Sequence, residues 1–145
     1  GTYCLNAAPS KPWQNLTMGD HTLRLESDAD EQLLLHFAFR QCVKLSKITL
    51  GLPKDETCPD EVKLFVNLNS PGFSDCDGKA AFVANIEEDE GQKVLNLPAV
   101  KFNRVENVSI FVGSNHGGDI SSLHSIQFEG SSVMNTDVSK IHDKK

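Results

Sequence analysis
Four carboxylates, Glu26, Asp28, Asp30 and Glu31, stand within the stretch LESDADEQLLLHFAF at 25–39. Clustered carboxylates can ligate calcium, share a proton as a catalytic acid pair, or meet the cations of a partner. A calcium loop starting at Asp28 needs Asp or Asn fifth, Gly sixth and Glu twelfth. Gln32, Leu33 and Phe39 stand there instead. A loop starting at Asp75 fails too, because the glycine of DCDGK arrives fourth. The D-x-D of Asp28 and Asp30 has the outline of a metal–nucleotide-sugar site, but so short a match carries little specificity. An acid pair needs one carboxyl raised by burial or by its neighbour. Nothing around these residues indicates burial, so the simplest expectation is a solvated lead-in to a strand.

Other constellations are equally incomplete. NHGGD at 115–119 could free backbone N–H groups for an oxyanion. The nucleophile elbow G-x-S-x-G is absent, so Gly117 and Gly118 are read as turn residues supplying positive φ. Among His21, His36, His116, His124 and His142 no two have H-x-x-x-H spacing. His36 lies mid-strand and reads as a half-buried sheet residue. Cys4, Cys42, Cys58 and Cys76 are too far apart for a C-x-x-C redox motif or zinc knuckles. They are expected as unpaired thiols, and a reactive one would be sought at Cys58 or Cys76 in the polar loops. Of the sequons at Asn15 and Asn107, the second falls inside a strand-like run, where a glycan is awkward.

The elements that must position these residues show a period of two. Leu33, Leu35, Phe37 and Phe39 share one parity, as do Val62, Leu64, Val66 and Leu68, and again Val108, Ile110 and Val112. Such alternation puts one face of each strand on a core. From 43 to 52 the parity switches between Leu45 and Ile48, which implies a bulge or a strand crossing between sheets. Weaker strands are expected at 81–86, 94–97, 100–105 and 126–128. Gly- and Pro-containing turn signals separate them, and no segment shows sustained helical spacing. The pattern reads as an all-β sandwich. A domain is expected over 1–130, and 131–145 reads as a flexible tail.

The 145 residues fit one domain with a core large enough to stand without staples. A net charge of −6 argues against nucleic acid, which needs a clustered basic surface. No apolar run approaches the ~20 residues of a membrane helix. No signal peptide is evident, and a first residue other than Met fits a chain cut from a longer one. No cofactor is expected, and a monomer is.

Several stretches together resemble one family. They are CLN at 4–6, LESDADEQLLLHFAF at 25–39, VKLSKI at 43–48, VKLFVNL at 62–68, VKFNRVENVSIFVGSNHGGD at 100–119 and IQFEG at 126–130. In this order they resemble the PITH domain, the proteasome-interacting domain found at the C-terminus of thioredoxin-like proteins. The resemblance implies a jelly-roll-like antiparallel β-sandwich, similar to galactose-binding-like folds, with no catalytic activity. It implies docking of a thioredoxin module onto the regulatory particle of the proteasome, in the cytoplasm and nucleus. Stand-alone members also occur; SSVMNTDVSKI at 131–141 leans towards the thioredoxin-linked branch.

Two surfaces are candidates for such docking. One is the acidic face of Glu26, Asp28, Asp30 and Glu31, suited to Lys or Arg on a partner. The other is the tail around His142, which could pair with a partner or ligate its metal. The alternative function is a carbohydrate-binding module, using Trp13 or Phe73 as loop platforms.

Overall fold
A computed structural model describes residues 1–20, 22–133 and 138–141, the last four through their backbone alone. The order is β1 (Tyr3–Leu5), β2 (Leu25–Glu26), β3 (Leu33–Gly51), β4 (Glu61–Val66), β5 (Phe82–Asn85), β6 (Gln92–Asn96), α1 (Ala99–Phe102), β7 (Val105–Val112), β8 (Ser122–Leu123), β9 (Ser125–Ser132) and β10 (Val138–Ile141). Two 3-10 turns, Trp13–Thr17 and Phe73–Asp77, interrupt the longer loops.

β3 belongs to both layers of a sandwich. Its first half, from Leu33 to Ala38, pairs antiparallel with β7, and β1 pairs along its other side. β4 and then β5 extend that layer beyond β7. From Val43 to Gly51 the same strand pairs with β9, while β6 lies along its other edge and β10 extends beyond β9. Register shifts fall between Ala38 and Val43 and between Leu45 and Lys47. The second coincides with the parity switch read from the sequence. The first spans the polar corner of Arg40 and Gln41, both exposed. β2 and β8 form a separate short ribbon.

The inward faces meet through aromatic rings. Phe37, from the first layer, packs edge-on against Phe128 of β9 at 5.1 Å and against Trp13 at 5.9 Å. Leu33, Leu35, Val62, Leu64, Val108, Ile110 and Val112 join this core, so the alternation holds within β3, β4 and β7, whereas Leu68, past the end of β4, packs on the opposite face. Phe39 is half-buried at the core's rim. Gly130 is required at the crossing, since a Cβ there would lie 2.2 Å from the Lys44 carbonyl oxygen.

Two expectations are corrected. The strand expected at 100–105 opens instead as α1, where the N–H groups of Lys101 and Phe102 both donate to the Pro98 carbonyl. That turn buries Phe102 completely and leaves Val100 87% exposed, whereas alternation would have put both on one face. The domain boundary at 130 is too early. Ser131 and Ser132 complete β9, and the backbone of Val138–Ile141 pairs with Phe128–Ser131. An edge strand of this kind is held by backbone hydrogen bonds and needs no alternation of its own. The outer face of the first layer is also covered. Leu34, Phe65 and Cys76 are buried there with Leu5, Leu68, Phe73 and Phe111 packed around them. The segment from 68 to 80 folds back over the sheet and covers it.

Candidate functional site
Glu26 ends β2, Asp28, Asp30 and Glu31 lie on the loop between β2 and β3, and one side chain shapes that loop. Asn6 adopts a left-handed φ of 69° just after β1. Its Nδ2 donates to Asp30 Oδ1 at 2.9 Å and to the Gln32 carbonyl at 2.8 Å. Its Oδ1 accepts from the Ala29 N–H at 3.1 Å, and its carbonyl accepts from the Asp28 N–H at 2.8 Å. Asp30 also accepts from the Gln32 N–H at 3.0 Å, closing a local Asx turn. Asparagine suits this position because it tolerates left-handed backbone and carries both a donor and an acceptor.

These bonds divide the carboxylates by role. Asp30 is spent on the loop's shape. Glu26 pairs with Arg24 at 3.7 Å, and Arg24 Nη1 also donates to Ser122 Oγ at 3.2 Å. Asp28 is exposed and Glu31 half-exposed, and neither has a partner among the described residues. Asp28 and Glu31 are therefore the carboxylates free to meet an outside cation. Sequence reasoning weighted all four alike and missed Asn6. The stretches CLN and LESDADEQLL both carry the family resemblance, but nothing in the linear pattern brings them together. His142 lies outside the described residues.

The remaining chemical candidates are engaged in the fold. His36 Nδ1 lies 2.8 Å from Ser109 Oγ, and the Tyr3 ring stacks on the imidazole at 5.0 Å. Ser109 is fully buried and His36 nearly so, leaving this Ser–His pair no room for a substrate. It also closes the second sequon, whose serine is Ser109. Burial lowers the His36 pKa below its ordinary value. Unfolding then takes up a proton at pH values between the folded pKa and about 6.5. Stability from neutral His36 is thus full above that range and falls as pH is lowered through it. Urea denaturation at pH 7.0, 6.0 and 5.0 is expected to show this loss, with a shallower slope in His36→Asn. Equal slopes in both proteins would show that other groups set the dependence.

All four cysteines are free. Cys58 and Cys76 are buried, contrary to the polar-loop placement considered for a reactive thiol. Burial pushes the Cys58 thiol up to about 11 and raises Cys76 as well. Cys4 is pushed up to about 12 by the same cause. Such thiols are protonated at neutral pH and poorly nucleophilic. In the SNHGGD loop, Gly117 takes a positive φ of 115°, while Gly118 sits with its N–H on the Glu56 carbonyl. His116 Nε2 lies 2.8 Å from the Ile86 carbonyl, tying this loop to the segment after β5. Trp13 is a core residue, and Phe73 packs on Phe111 at 6.2 Å. Neither is the exposed ring a sugar platform needs. Among the described residues, no three His, Cys, Asp or Glu side chains gather as metal ligands would. No helix there is long and apolar enough to cross a membrane.

Solved structures of low identity share the fold. The CBM32-1 and CBM32-2 domains of Clostridium perfringens ZmpB in complex with GalNAc superpose with a TM-score of 0.70 at 13% identity, covering 88% of this chain and 32% of that one. A second C. perfringens domain, CpGH89CBM32-5 in complex with GalNAc-β-1,3-galactose, gives 0.69 at 11% identity, covering 88% of this chain and 93% of that one. The fold is thus the galactose-binding-like β-sandwich.

Sequence relatives are more specific. PITH domain-containing protein 1 of Danio rerio is 33% identical over 122 residues, 83% of this chain and 57% of its own length. Thioredoxin-like protein 1 of Schizosaccharomyces pombe is 32% identical over 121 residues, 79% of this chain and 42% of its own. The chain spans about half the length of the curated relatives it matches. The profile of the PITH domain matches residues 1–145, from end to end. On that match, the chain belongs to the PITH domain family.

Proposed function
We propose that this domain is a non-enzymatic docking module that holds a thioredoxin-like protein on the regulatory particle of the proteasome, in the cytoplasm and nucleus. The observation that carries the reading is membership of the PITH family over the whole chain, with a thioredoxin-like protein among its relatives. The relatives named as PITH domain-containing and as thioredoxin-like match almost equally, at 33% and 32% identity, so identity leaves the stand-alone and thioredoxin-linked branches open. A C-x-x-C thioredoxin domain encoded upstream of Gly1 decides between those branches.

The chemistry of the domain is consistent with binding rather than turnover. Burial raises the thiols of Cys4, Cys58 and Cys76, and its Ser–His pair is sealed inside the sheet. Asp28 and Glu31 offer fixed negative charge to a cationic partner surface, where steering of association is the main effect. Affinity capture from lysate tests the reading. Proteasome subunits are expected to be enriched over an unrelated β-sandwich control, and equal recovery would sink the proposal. The pair Asp28→Lys and Glu31→Lys tests the acidic face. Asp30 is left intact because its carboxylate shapes the loop. Reversal is expected to slow association by about tenfold at low salt, with the difference shrinking at 0.3 M salt. An unchanged rate in the folded variant would place docking elsewhere.

A further inference from the structure
A second surface lies at the opposite end of the first layer, and its chemistry is the reverse of the acidic loop. The acidic loop feeds β3 at Leu33, which pairs with Val112 and through it with Val62. The far end of the same layer is the row Phe37, Val108 and Val66. There, where β4 ends, an open groove of about 430 Å³ is lined by Phe65, Leu68, Ala80 and Ala81, with Lys79 and Lys101 also on its wall. Both lysines are exposed, and neither forms an ion pair among the described residues. The groove falls within the size range of ligand pockets. Its shape is fixed by Asn67, which takes a positive φ of 59° and donates from Nδ2 to the Arg104 carbonyl at 2.9 Å. The Asn67 Oδ1 accepts from the Glu106 N–H at 2.7 Å. The loop carrying Leu68 is therefore pinned to the chain that follows α1.

We propose that this groove binds an extended acidic segment of a partner protein, seating one large apolar side chain among Phe65, Leu68 and Ala81 while flanking carboxylates meet Lys79 and Lys101. The occupant follows from charge complementarity. On a chain of net charge −6, two unpaired ammonium groups beside an apolar recess select for Asp and Glu around a hydrophobic residue. This chain's own end, SKIHDKK at 139–145, carries more Lys than Asp and lacks the required charge. The inference deepens the docking reading, because it names the kind of segment a partner would present.

The test is fluorescence anisotropy with a labelled synthetic dodecapeptide, Phe-Leu at its centre and Asp and Glu elsewhere. Two control peptides accompany it, one with Lys for every acid and one with Ala for the central pair. Saturable binding of the acidic peptide is expected, at least about tenfold tighter than either control and weakened by salt. The double variant Lys79→Glu, Lys101→Glu is expected to lose at least about tenfold in affinity. Circular dichroism and the melting midpoint confirm that it folds, as exposed lysines allow. No saturation, equal binding of the basic peptide, or unchanged affinity in the folded variant would overturn the proposal. So would a self-association seen by sedimentation that the double variant abolishes, since the occupant would then be a second copy. The two readings fail separately. Peptide binding without capture of proteasome subunits supports the groove and counts against the proteasome. Capture without peptide binding does the opposite.

Discussion

Replacing Phe37 with alanine is expected to cost about 3–5 kcal/mol of folding stability, more than any other single truncation in the first layer. Phe37 is fully buried between the two layers, with Phe39, at the core's rim, also edge-on to Phe128 at 5.4 Å. The Phe37 ring meets Phe128 of β9 and Trp13 of the 3-10 turn, both edge-on. Truncation removes the ring's transfer free energy and leaves a cavity whose walls come from three separate segments. Those walls cannot close together, because β3 and β9 are fixed by their ladders on either side. A domain this size is stabilised by only about 5–15 kcal/mol, so the loss is read from the midpoint in urea and the melting temperature. Phe37→Leu keeps most of the volume and is expected to lose about 1–1.5 kcal/mol, a variant certain to leave folded protein to measure. Phe39→Ala, at the half-buried rim, is expected to fall below Phe37→Ala. Similar losses at 37 and 39 would show that the layers are not held together at Phe37.

The contrast between those two phenylalanines also marks how far the sequence could be read. Period-two patterning identified the inward face of β3, β4 and β7 because each strand has one face on a continuous core. The parity switch after Leu45 was visible for the same reason, since a bulge reverses which side chains point inward. What alternation cannot show is burial of the other face. Leu34 and His36 have outward parity, yet both are buried, Leu34 under the segment from 68 to 80 and His36 under the Tyr3 ring. That cover is a tertiary event with no local signature. The same holds for Trp13 and Phe73. Loop aromatics read as exposed platforms, but the space beneath each loop was apolar and took them in. α1 was missed because one helical turn is too short to declare a period, and only Pro98 marked its start.

Of the acidic loop, the residue types were legible and the roles were not. Four carboxylates close in sequence look equivalent until their partners are known. The fold turns Asp30 inward to Asn6 and Glu26 towards Arg24, and leaves Asp28 and Glu31 for solvent or a partner. Placed at the other end of the same layer, Lys79 and Lys101 give the domain two charged ends of opposite sign. A partner that engages both must present a basic patch and an acidic segment about 13 Å or more apart, the span of the four residue steps from Leu33 to Phe37. Such a pairing would fix orientation as well as location, which a single charged patch does poorly.

Asn6 is the position at which the shape of the acidic end can be separated from its charge. Asn6→Ala removes the bonds to Asp30, Gln32 and Ala29 and leaves left-handed backbone without the polar side chain that makes it tolerable. At roughly 0.5–1.5 kcal/mol per hydrogen bond and about 1 kcal/mol for the backbone, a loss of about 3 kcal/mol is expected. Asn6→Gly removes the same bonds but relieves the backbone, so it should be about 1 kcal/mol less damaging. Asn6→Asp keeps the acceptor for the Ala29 N–H but sets a carboxylate against Asp30, where the amide had donated at 2.9 Å. Its loss is expected to exceed that of Asn6→Gly at neutral pH and to shrink with added salt, as like-charge repulsion is screened. The stability series alone establishes whether Asn6 clips the loop; equal, small losses in all three would show that it does not. The functional consequence is sharper. Asn6→Gly leaves Asp28 and Glu31 in the sequence but releases the backbone that holds them. If a partner reads their fixed positions, this folded variant should weaken capture as much as the charge reversal does. Should capture survive in Asn6→Gly yet fail in the Asp28→Lys, Glu31→Lys pair, the partner reads only the charge, and the loop's geometry serves the fold alone.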